Sequence, residues 1–243
     1  PMNCSDALLR DVVRVAEQFG LGIHTHLLET RLQAWAARKI HKKALCAHLA
    51  EIGFLSSRLS AAHGIWLDEA EMDMLAASGT SVVHNPASNF KLGSGICPVA
   101  KLKARGVNVA LGTDGGDTSD TYSIFEQMRL AAFLSRIAAE DPQNWITALD
   151  ALRMGTVNGA EAIPAWRGKI GVIKPGYRAD LVLLRPGLRL RPLRNIVHQL
   201  VFCESGQSVD TVLVDGKIVL ERGRLIGVDE EALIRRVEPI SKK

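Results

Sequence analysis

The sequence predicts an α/β fold in which parallel strands alternate with helices. Four short apolar segments each end in a histidine or an aspartate, and segments with helical spacing of apolar residues lie between them. Strands that are apolar almost throughout are typical of a parallel sheet covered on both faces. The chain has 243 residues, of which 47% are hydrophobic and 23% charged. It is therefore long enough to bury one large core beside a small second domain.

The first helix is expected over residues 8–19, with Ser5 as its N-cap and Gly20 ending it. A strand over residues 21–26 follows and ends at His26. Residues 31–50 have a helical composition.

The second strand, residues 59–63, ends at His63, and a capped helix over residues 68–78 is closed by Gly79. The third strand leads to His84, and the fourth, residues 107–114, ends at Asp114. A short helix separates these two strands, and a long amphipathic helix over residues 122–139 follows the fourth.

The pattern changes after about residue 155, where runs rich in β-branched residues replace the alternation of strands and helices. Asp215 and Gly216 between two such runs predict a hairpin turn. We expect a small β domain here, with residues 185–195 as a loop.

Composition excludes several classes of protein. The net charge of +4 arises from 30 basic and 26 acidic residues spread along the chain, so no basic stripe for nucleic acid is predicted. The four cysteines form no C-x-x-C pair, which argues against a structural zinc site and predicts a reducing, cytoplasmic setting. Neither a leader segment nor an apolar run of about 18 residues is present in the sequence, so no membrane association is expected.

The four polar strand ends are the strongest functional signal. In a βα barrel the carboxyl ends of all strands open on one face, so His26, His63, His84 and Asp114 are expected to converge. A doubly wound sheet would give the same alternation, but its glycine-rich G-x-G-x-x-G turn is absent from the sequence.

Histidine nitrogens with an aspartate oxygen suit zinc or a similar divalent metal, which lowers the pKa of a water it binds to about 7. Glu29, three residues after His26, is placed to move protons beside such a site. A single histidine at a strand end is more often structural, but four polar strand ends in order favour a site. His41, His48 and His198 are expected to be structural or exposed.

Four motifs resemble the amidohydrolase superfamily: HLLET (26–30), AAHGIWL (61–67), VVHNPASNFKLGSGICPV (82–99) and ALGTDG (110–115). Within it they are similar to the branch that holds atrazine chlorohydrolase and the guanine and S-adenosylhomocysteine deaminases. The segments TVNGAEAI, GVIKPGYRADLVLL and VDTVLVDGKIV extend the resemblance over nearly the whole chain. Four motifs in this order are specific for the superfamily and not for a substrate.

The resemblance implies a role for each strand-end residue. His26 matches a metal ligand, and Asp114 matches a second ligand that is also a water-activating base. Glu29 would shuttle protons, His63 would orient or polarise the substrate, and His84 and Asn85 would shape its binding site. The implied cofactor is one divalent metal, zinc first, with iron or manganese as alternatives. His24 is expected to have no ligand role.

The family's strand-1 His-x-His pair has no match, because His24 and His26 fall on the segment that resembles strand 5. We therefore expect the C-terminal half of a (β/α)8 barrel, strands 5 to 8, over residues 1–163, and part of a β-sandwich over residues 164–243. Such a chain is expected to form a homo-oligomer or to need its N-terminal half, and to be inactive alone.

The implied reaction is deamination or dechlorination of a nitrogen heterocycle such as a purine, a pterin or an s-triazine. Two alternatives remain open. One is hydrolysis of a cyclic amide or imidazolone, and the other is a non-catalytic half barrel that needs a partner.

Overall fold

The computed structural model describes residues 1–240, and two four-stranded sheets organise them. The first sheet is parallel and keeps its strands in chain order: β1 (Ile23–Leu27), β2 (Leu59–His63), β3 (Ser81–His84) and β4 (Val109–Leu111). The α/β fold with parallel strands is thus confirmed. The fourth strand ends at Leu111, so Asp114 lies in the loop beyond it.

Twelve helices connect or flank the strands within this described part. They are α1 (Asp6–Phe19), α2 (Arg31–His41), α3 (Leu45–Glu51), α4 (Glu69–Ser78), α5 (Pro86–Lys91), α6 (Val99–Ala104), α7 (Gly116–Ser119), α8 (Ile124–Ala138), α9 (Ala148–Met154), α10 (Val157–Glu161), α11 (Ile196–Phe202) and α12 (Glu230–Val237).

Local sequence signals set several helix ends. Ser5 Oγ accepts the Leu8 N–H at the start of α1, and Gly20 ends the helix in the left-handed region at φ 64°. The helical stretch expected over residues 31–50 is two helices, because Lys42 adopts φ 60° and ends α2. A lysine at this position gives no glycine-like signal, which is why the break is not visible in the sequence.

The register of the parallel sheet determines which side chains of β1 lie on each face of the sheet. His24 pairs with Ser60 and His26 with Ala62, so both histidines lie on one face of β1 and both are exposed. Ile23 on the opposite face is buried in the core beneath the helices. The face that bears His24 and His26 is the concave side of the sheet.

Within residues 1–240 the sheet is open at both sides, since β1 pairs with β2 alone and β4 with β3 alone. Asn158 of α10 partly covers the β4 edge by donating its amide N–H to the Val109 carbonyl at 2.9 Å.

The second sheet is antiparallel: β5 (Leu181–Leu184), β6 (Val209–Val214), β7 (Lys217–Glu221) and β8 (Arg224–Leu225). Val214 pairs with Lys217 across a turn in which Asp215 and Gly216 both have positive φ, as the hairpin signal predicts.

The segment between β5 and β6 is more ordered than predicted. Leu190 lies in a short 3-10 turn and is buried, within a region expected to be a loop. His198 lies in α11 and is exposed, as expected. Helix α11 contacts α8 and α9, so Val201 joins the core of the parallel-sheet region.

No helix among residues 1–240 is long and apolar enough to span a membrane.

Candidate functional site

Three of the predicted residues meet at the carboxyl ends of β1 and β2. The imidazoles of His26 and His63 stack with their ring centroids 5.3 Å apart. The Nε2 atom of His63 lies 3.9 Å from Glu29 Oε2. His63 is 1% exposed in its side chain and Glu29 is 20% exposed, so the pair lies at the boundary between core and solvent.

The backbone at the strand ends is unusual. His63 has φ 74° and Asp114 has φ 61°, in the left-handed region that costs side-chain-bearing residues energy. Such strain persists where the surrounding structure fixes it, and it is concentrated at functional sites.

Helix α5 connects the site residues of two strands. Asn89 Oδ1 lies 2.8 Å from His63 Nδ1, and Ser88 Oγ donates to Asp114 Oδ2 at 2.5 Å. An amide oxygen can only accept, so His63 Nδ1 carries the hydrogen and Nε2 is the nitrogen that faces Glu29. Two successive residues of one short helix thus contact two of the predicted site residues, Asp114 and His63.

Asp114 is held in its ionised form. Partial burial by itself would raise the pKa of its carboxyl, but hydrogen bonds from the Ser88 hydroxyl and the Gly115 amide, with the nearby His63, lower that pKa below its usual value. The carboxylate is therefore available as a metal ligand or a proton acceptor.

His84 and Asn85 lie at the end of β3, and both are buried. Desolvation and the proximity of His63 lower the pKa of His84 to about 3, so this imidazole is neutral. Its Nδ1 atom is buried and has no hydrogen-bond partner among the described residues. The substrate-binding role expected for His84 and Asn85 stays a prediction.

Two cavities flank the histidines of β1. One of about 440 Å³ is lined by His26, Glu29 and Gln33 together with residues 1–4. The other, of about 630 Å³, lies on the concave face of the sheet and is lined by His24, Ser60 and residues of the α10 region. His24 Nδ1 is 2.8 Å from Ser60 Oγ, so His24 has a protein partner within the sheet.

The remaining histidines lie elsewhere. His41 and His48 stack with centroids 3.7 Å apart, and His48 Nε2 is 2.9 Å from Asp6 Oδ1. They form a cluster of α1, α2 and α3 on the outside of the sheet.

The predicted metal ligands are His26 and Asp114. An exposed imidazole on the concave face and an ionised carboxylate are donors that zinc accepts, and in this respect they fit. Within residues 1–240, however, no group of three or more His, Cys, Asp or Glu side chains is arranged to hold a metal ion. Two donors are fewer than the three or four protein ligands of zinc sites, so His26 and Asp114 alone would not hold a metal tightly.

Sequence reasoning missed the roles of Ser88 and Asn89, since it treated the HNPASN segment as site architecture. Pro86 at the first position of α5, directly after His84 and Asn85, is a helix-start signal that could have revealed a helix here.

Comparison with known proteins shows the family to which this chain belongs. A protein-family model described as the amidohydrolase family matches residues 1–219. The chain belongs to the amidohydrolase family. It is 39% identical over 241 residues to the 5'-deoxyadenosine deaminase of Methanothermobacter thermautotrophicus, covering 98% of this chain and 55% of that protein. It is 40% identical over 237 residues to the 5-methylthioadenosine/S-adenosylhomocysteine deaminase of Pyrococcus furiosus, covering 96% and 55%.

Solved structures give the same result. An adenosine deaminase of Xanthomonas campestris with bound zinc superposes with a TM-score of 0.93 at 34% identity, over 97% of this chain and 53% of that one. The atrazine chlorohydrolase of Arthrobacter aurescens, complexed with zinc, superposes with a TM-score of 0.90 at 25% identity, over 97% and 52%. Guanine deaminase of E. coli superposes with a TM-score of 0.81 at 25% identity, over 91% and 53%. This chain spans about half the length of the curated relatives it matches.

Proposed function

We propose that this chain forms part of a metal-dependent hydrolase that removes the amino group of a nitrogen heterocycle. The observation that carries the proposal is the approach of Glu29 Oε2 to His63 Nε2 at 3.9 Å, beside the stacked imidazole of His26. A purine of the adenosine type is the leading substrate class, because relatives of this chain are named 5'-deoxyadenosine and methylthioadenosine deaminases. Pterins and s-triazines, the latter with chloride as leaving group, belong to the same reaction type.

The reaction replaces the exocyclic C–NH2 bond of a ring carbon by C=O. Water adds to this carbon, one of its protons passes through Glu29 to the adjacent ring nitrogen, and the other passes to the amine, which departs as ammonia. His63, with its Nδ1–H bonded to Asn89, presents Nε2 toward the substrate and orients it. His84 stays uncharged, so it adds no positive charge beside His63.

His26 and Asp114 would hold a divalent metal, zinc first and iron or manganese as alternatives. The metal supplies Lewis-acid polarisation. Asp114, ionised by its bonds to Ser88 and Gly115, can also accept a proton from the attacking water.

We also propose that the parallel sheet is half of a (β/α)8 barrel. A closed barrel of this type has eight strands, and residues 1–240 contribute four with an open edge on each side. We assign residues 1–163 to this half barrel and residues 164–240 to part of a β-sandwich; the last three residues of the expected range, 241–243, lie outside the described residues. A partner half is the natural source of the missing metal donors, so the 243-residue chain alone is expected to turn over little substrate.

Two other functions are distinguishable. Hydrolysis of a cyclic amide or imidazolone would use the same residues, with a ring C–N bond as the one that breaks. A non-catalytic half barrel would show neither reaction in any assembly.

The test combines this chain with the complementary half of the Methanothermobacter deaminase, co-expressed and purified as a complex with zinc. Ammonia release is measured from 5'-deoxyadenosine, guanine and an aminated s-triazine, and ring opening from an imidazolone. Ammonia release with about one zinc per complex is expected, and the complex with Glu29→Gln is expected to be inactive. A zinc-loaded complex that releases no ammonia from any of these compounds would refute the deaminase proposal.

A further inference from the structure

Helix α5 is a six-residue helix that begins at Pro86 without a side-chain cap. Its N-cap, Asn85, makes no side-chain capping bond, and Pro86 at the first position has no N–H to donate. The first free amide of the helix is therefore that of Ala87, in a segment whose neighbours Ser88 and Asn89 are 0% and 1% exposed. Ala87 itself is half-buried, and an amide shielded from solvent in this way needs an acceptor from outside the helix.

Gln127 of α8 supplies that acceptor. Its Oε1 receives the Ala87 N–H at 3.0 Å, and the residue is 0% exposed. The Nε2 atom of Gln127 has no hydrogen-bond partner among the described residues. The side-chain amide of Gln127 is therefore hydrogen-bonded through its oxygen, to the Ala87 N–H. Burying an amide side chain costs free energy unless it is hydrogen-bonded, so the contact offsets part of that cost.

The bond lies one residue before the two contacts that orient the site. Ser88 Oγ donates to Asp114 Oδ2 at 2.5 Å, and Asn89 Oδ1 lies 2.8 Å from His63 Nδ1. A shift of α5 by a fraction of an ångström would lengthen both contacts together, because the three residues share one rigid turn. Through Gln127, helix α8 thereby contacts the helix that orients the strand-end residues.

We infer that Gln127 is a positioning residue, which fixes helix α5 so that Ser88 holds Asp114 and Asn89 holds His63 with its hydrogen on Nδ1. This rests on the proposed function only in taking His63 and Asp114 as members of the reacting site. If the role of Gln127 were purely structural, its replacement would change only the stability of the chain. The positioning role requires the His63 ring to respond as well.

The decisive variants are Gln127→Leu, which removes the acceptor at similar volume, and Gln127→Glu, which keeps an oxygen in its place. Ser135→Ala is the matched control: Ser135 is a buried residue of the same helix that accepts the Ile146 N–H, away from the site. The purified chain is labelled with ¹⁵N-histidine, and hydrogen exchange is followed at single amides.

In the unsubstituted chain His63 is expected as the Nδ1–H tautomer with Ala87 protected from exchange. Gln127→Leu is expected to speed exchange at Ala87 about tenfold, as loss of one hydrogen bond implies, and to shift the His63 ring nitrogens toward a mixture of tautomers. Gln127→Glu should restore the protection of Ala87 and the Nδ1–H tautomer of His63. Ser135→Ala should change neither the exchange at Ala87 nor the His63 signals.

Unchanged His63 signals in a folded Gln127→Leu chain would overturn the inference. If that variant does not fold, an unprotected Ala87 amide in the unsubstituted chain would overturn it equally, and a protected amide with the Nδ1–H tautomer would support it. None of these readouts needs turnover, so they are independent of the deamination assay. A chain that gives the expected spectra but no ammonia release in the complex would refute the proposed function and leave the positioning role standing.

Discussion

Glu29 and His63 approach each other across the junction of two neighbouring strands, with Oε2 and Nε2 3.9 Å apart. The distance is longer than a hydrogen bond, so each group keeps its capacity to contact a substrate or a water. Asn89 satisfies the other nitrogen of the imidazole. The imidazole is thus held by Asn89 and 1% exposed, whereas the carboxylate is 20% exposed.

Replacing Glu29 by Gln should therefore remove proton transfer while preserving shape. We expect kcat of the zinc-loaded complex to fall about 10²- to 10⁴-fold, the usual contribution of a positioned general acid–base group. Steady-state ammonia release measures it. Glu51→Gln is the control, since Glu51 is an exposed partner of Lys43 on the outer helices. Equal activities of the two variants would contradict the role of Glu29.

Gly112 allows β4 to approach the loop that bears Asn85. A Cβ atom at this position would lie 2.8 Å from Val83 Cγ1 and would collide with the Asn85 side-chain oxygen. Gly112→Ala is expected to lower the free energy of unfolding by about 1–3 kcal/mol through overpacking. Urea denaturation monitored by circular dichroism measures the change.

Gly159 in α10 is the matched control for that substitution. A Cβ there would find nothing closer than the Met154 carbonyl at 4.0 Å. Gly159→Ala should therefore stabilise the chain by about 0.5–1 kcal/mol, as expected for glycine in a helix. If Gly112→Ala and Gly159→Ala lowered the free energy of unfolding by similar amounts, the close approach of Asn85 to Gly112 would not explain the loss of stability.

Glu204 caps the turn after α11 with one carboxylate oxygen. Its Oε1 accepts the N–H groups of Ser205, Gly206 and Ser208 at 3.0, 2.8 and 3.1 Å. Burial would raise the pKa of this carboxyl, but the hydrogen bonds from Ser208, Ser205 and Gly206 outweigh it and lower the pKa.

A depressed pKa means that the ionised form stabilises the fold above the unfolded pKa, about 4.3, and that this contribution is lost as the pH falls through the folded pKa. Glu204→Gln is expected to be destabilised at pH 7, by about 1–3 kcal/mol, and to approach the unsubstituted chain as the pH falls below 4. Urea midpoints across pH 3–7 measure it. A stability difference that does not depend on pH would contradict the role of the carboxylate.

Helix α1 presents an apolar stripe to solvent beside the open edge of β1. Leu8, Val12, Val15 and Phe19 share one face of the helix, and Phe19 is 65% exposed. With the unpaired strand edge, this surface predicts self-association of the isolated chain. Light scattering after gel filtration should show species larger than 26.4 kDa.

Replacing Val12 and Phe19 together by Glu should shift that distribution toward the monomer. Arg14→Glu, on an exposed position of the same helix paired with Asp11, should leave it unchanged. A monomeric unsubstituted chain would show that the stripe and the β1 edge do not drive association.

Much of the fold could be predicted because its local signals agree with its tertiary structure. β2 was predicted residue for residue, since an apolar run buried on both faces leaves few alternatives. Ser5 and Gly20 bound α1 as expected, since capping depends on adjacent residues alone. The left-handed Lys42 could not be foreseen, because its conformation is imposed by how α2 and α3 pack.

In the candidate site, too, some features could be predicted from the sequence and others could not. Of the four strand-end residues expected to converge, His26 and His63 stack on each other, and Glu29 lies beside them, as parallel strand ends imply. The contacts of Ser88, Asn89 and Gln127 depend on how α5 packs between β2, β4 and α8, and no local pattern reports such packing. The substrate remains a proposal, because the described residues that would contact it come from one side of the site.

The spacing within α5 also limits how this region can change over time. Ser88 and Asn89 are consecutive, so they reach different strands because one helical step separates their directions by about 100°. Insertion or deletion of one residue between Asn85 and Asn89 would rotate both away from Asp114 and His63 at once. Phe90 is the next residue of the helix, and its side chain is 69% exposed and orients neither site residue. We therefore expect substitutions at position 90 to be tolerated far more readily during evolution than insertions or deletions between Asn85 and Asn89.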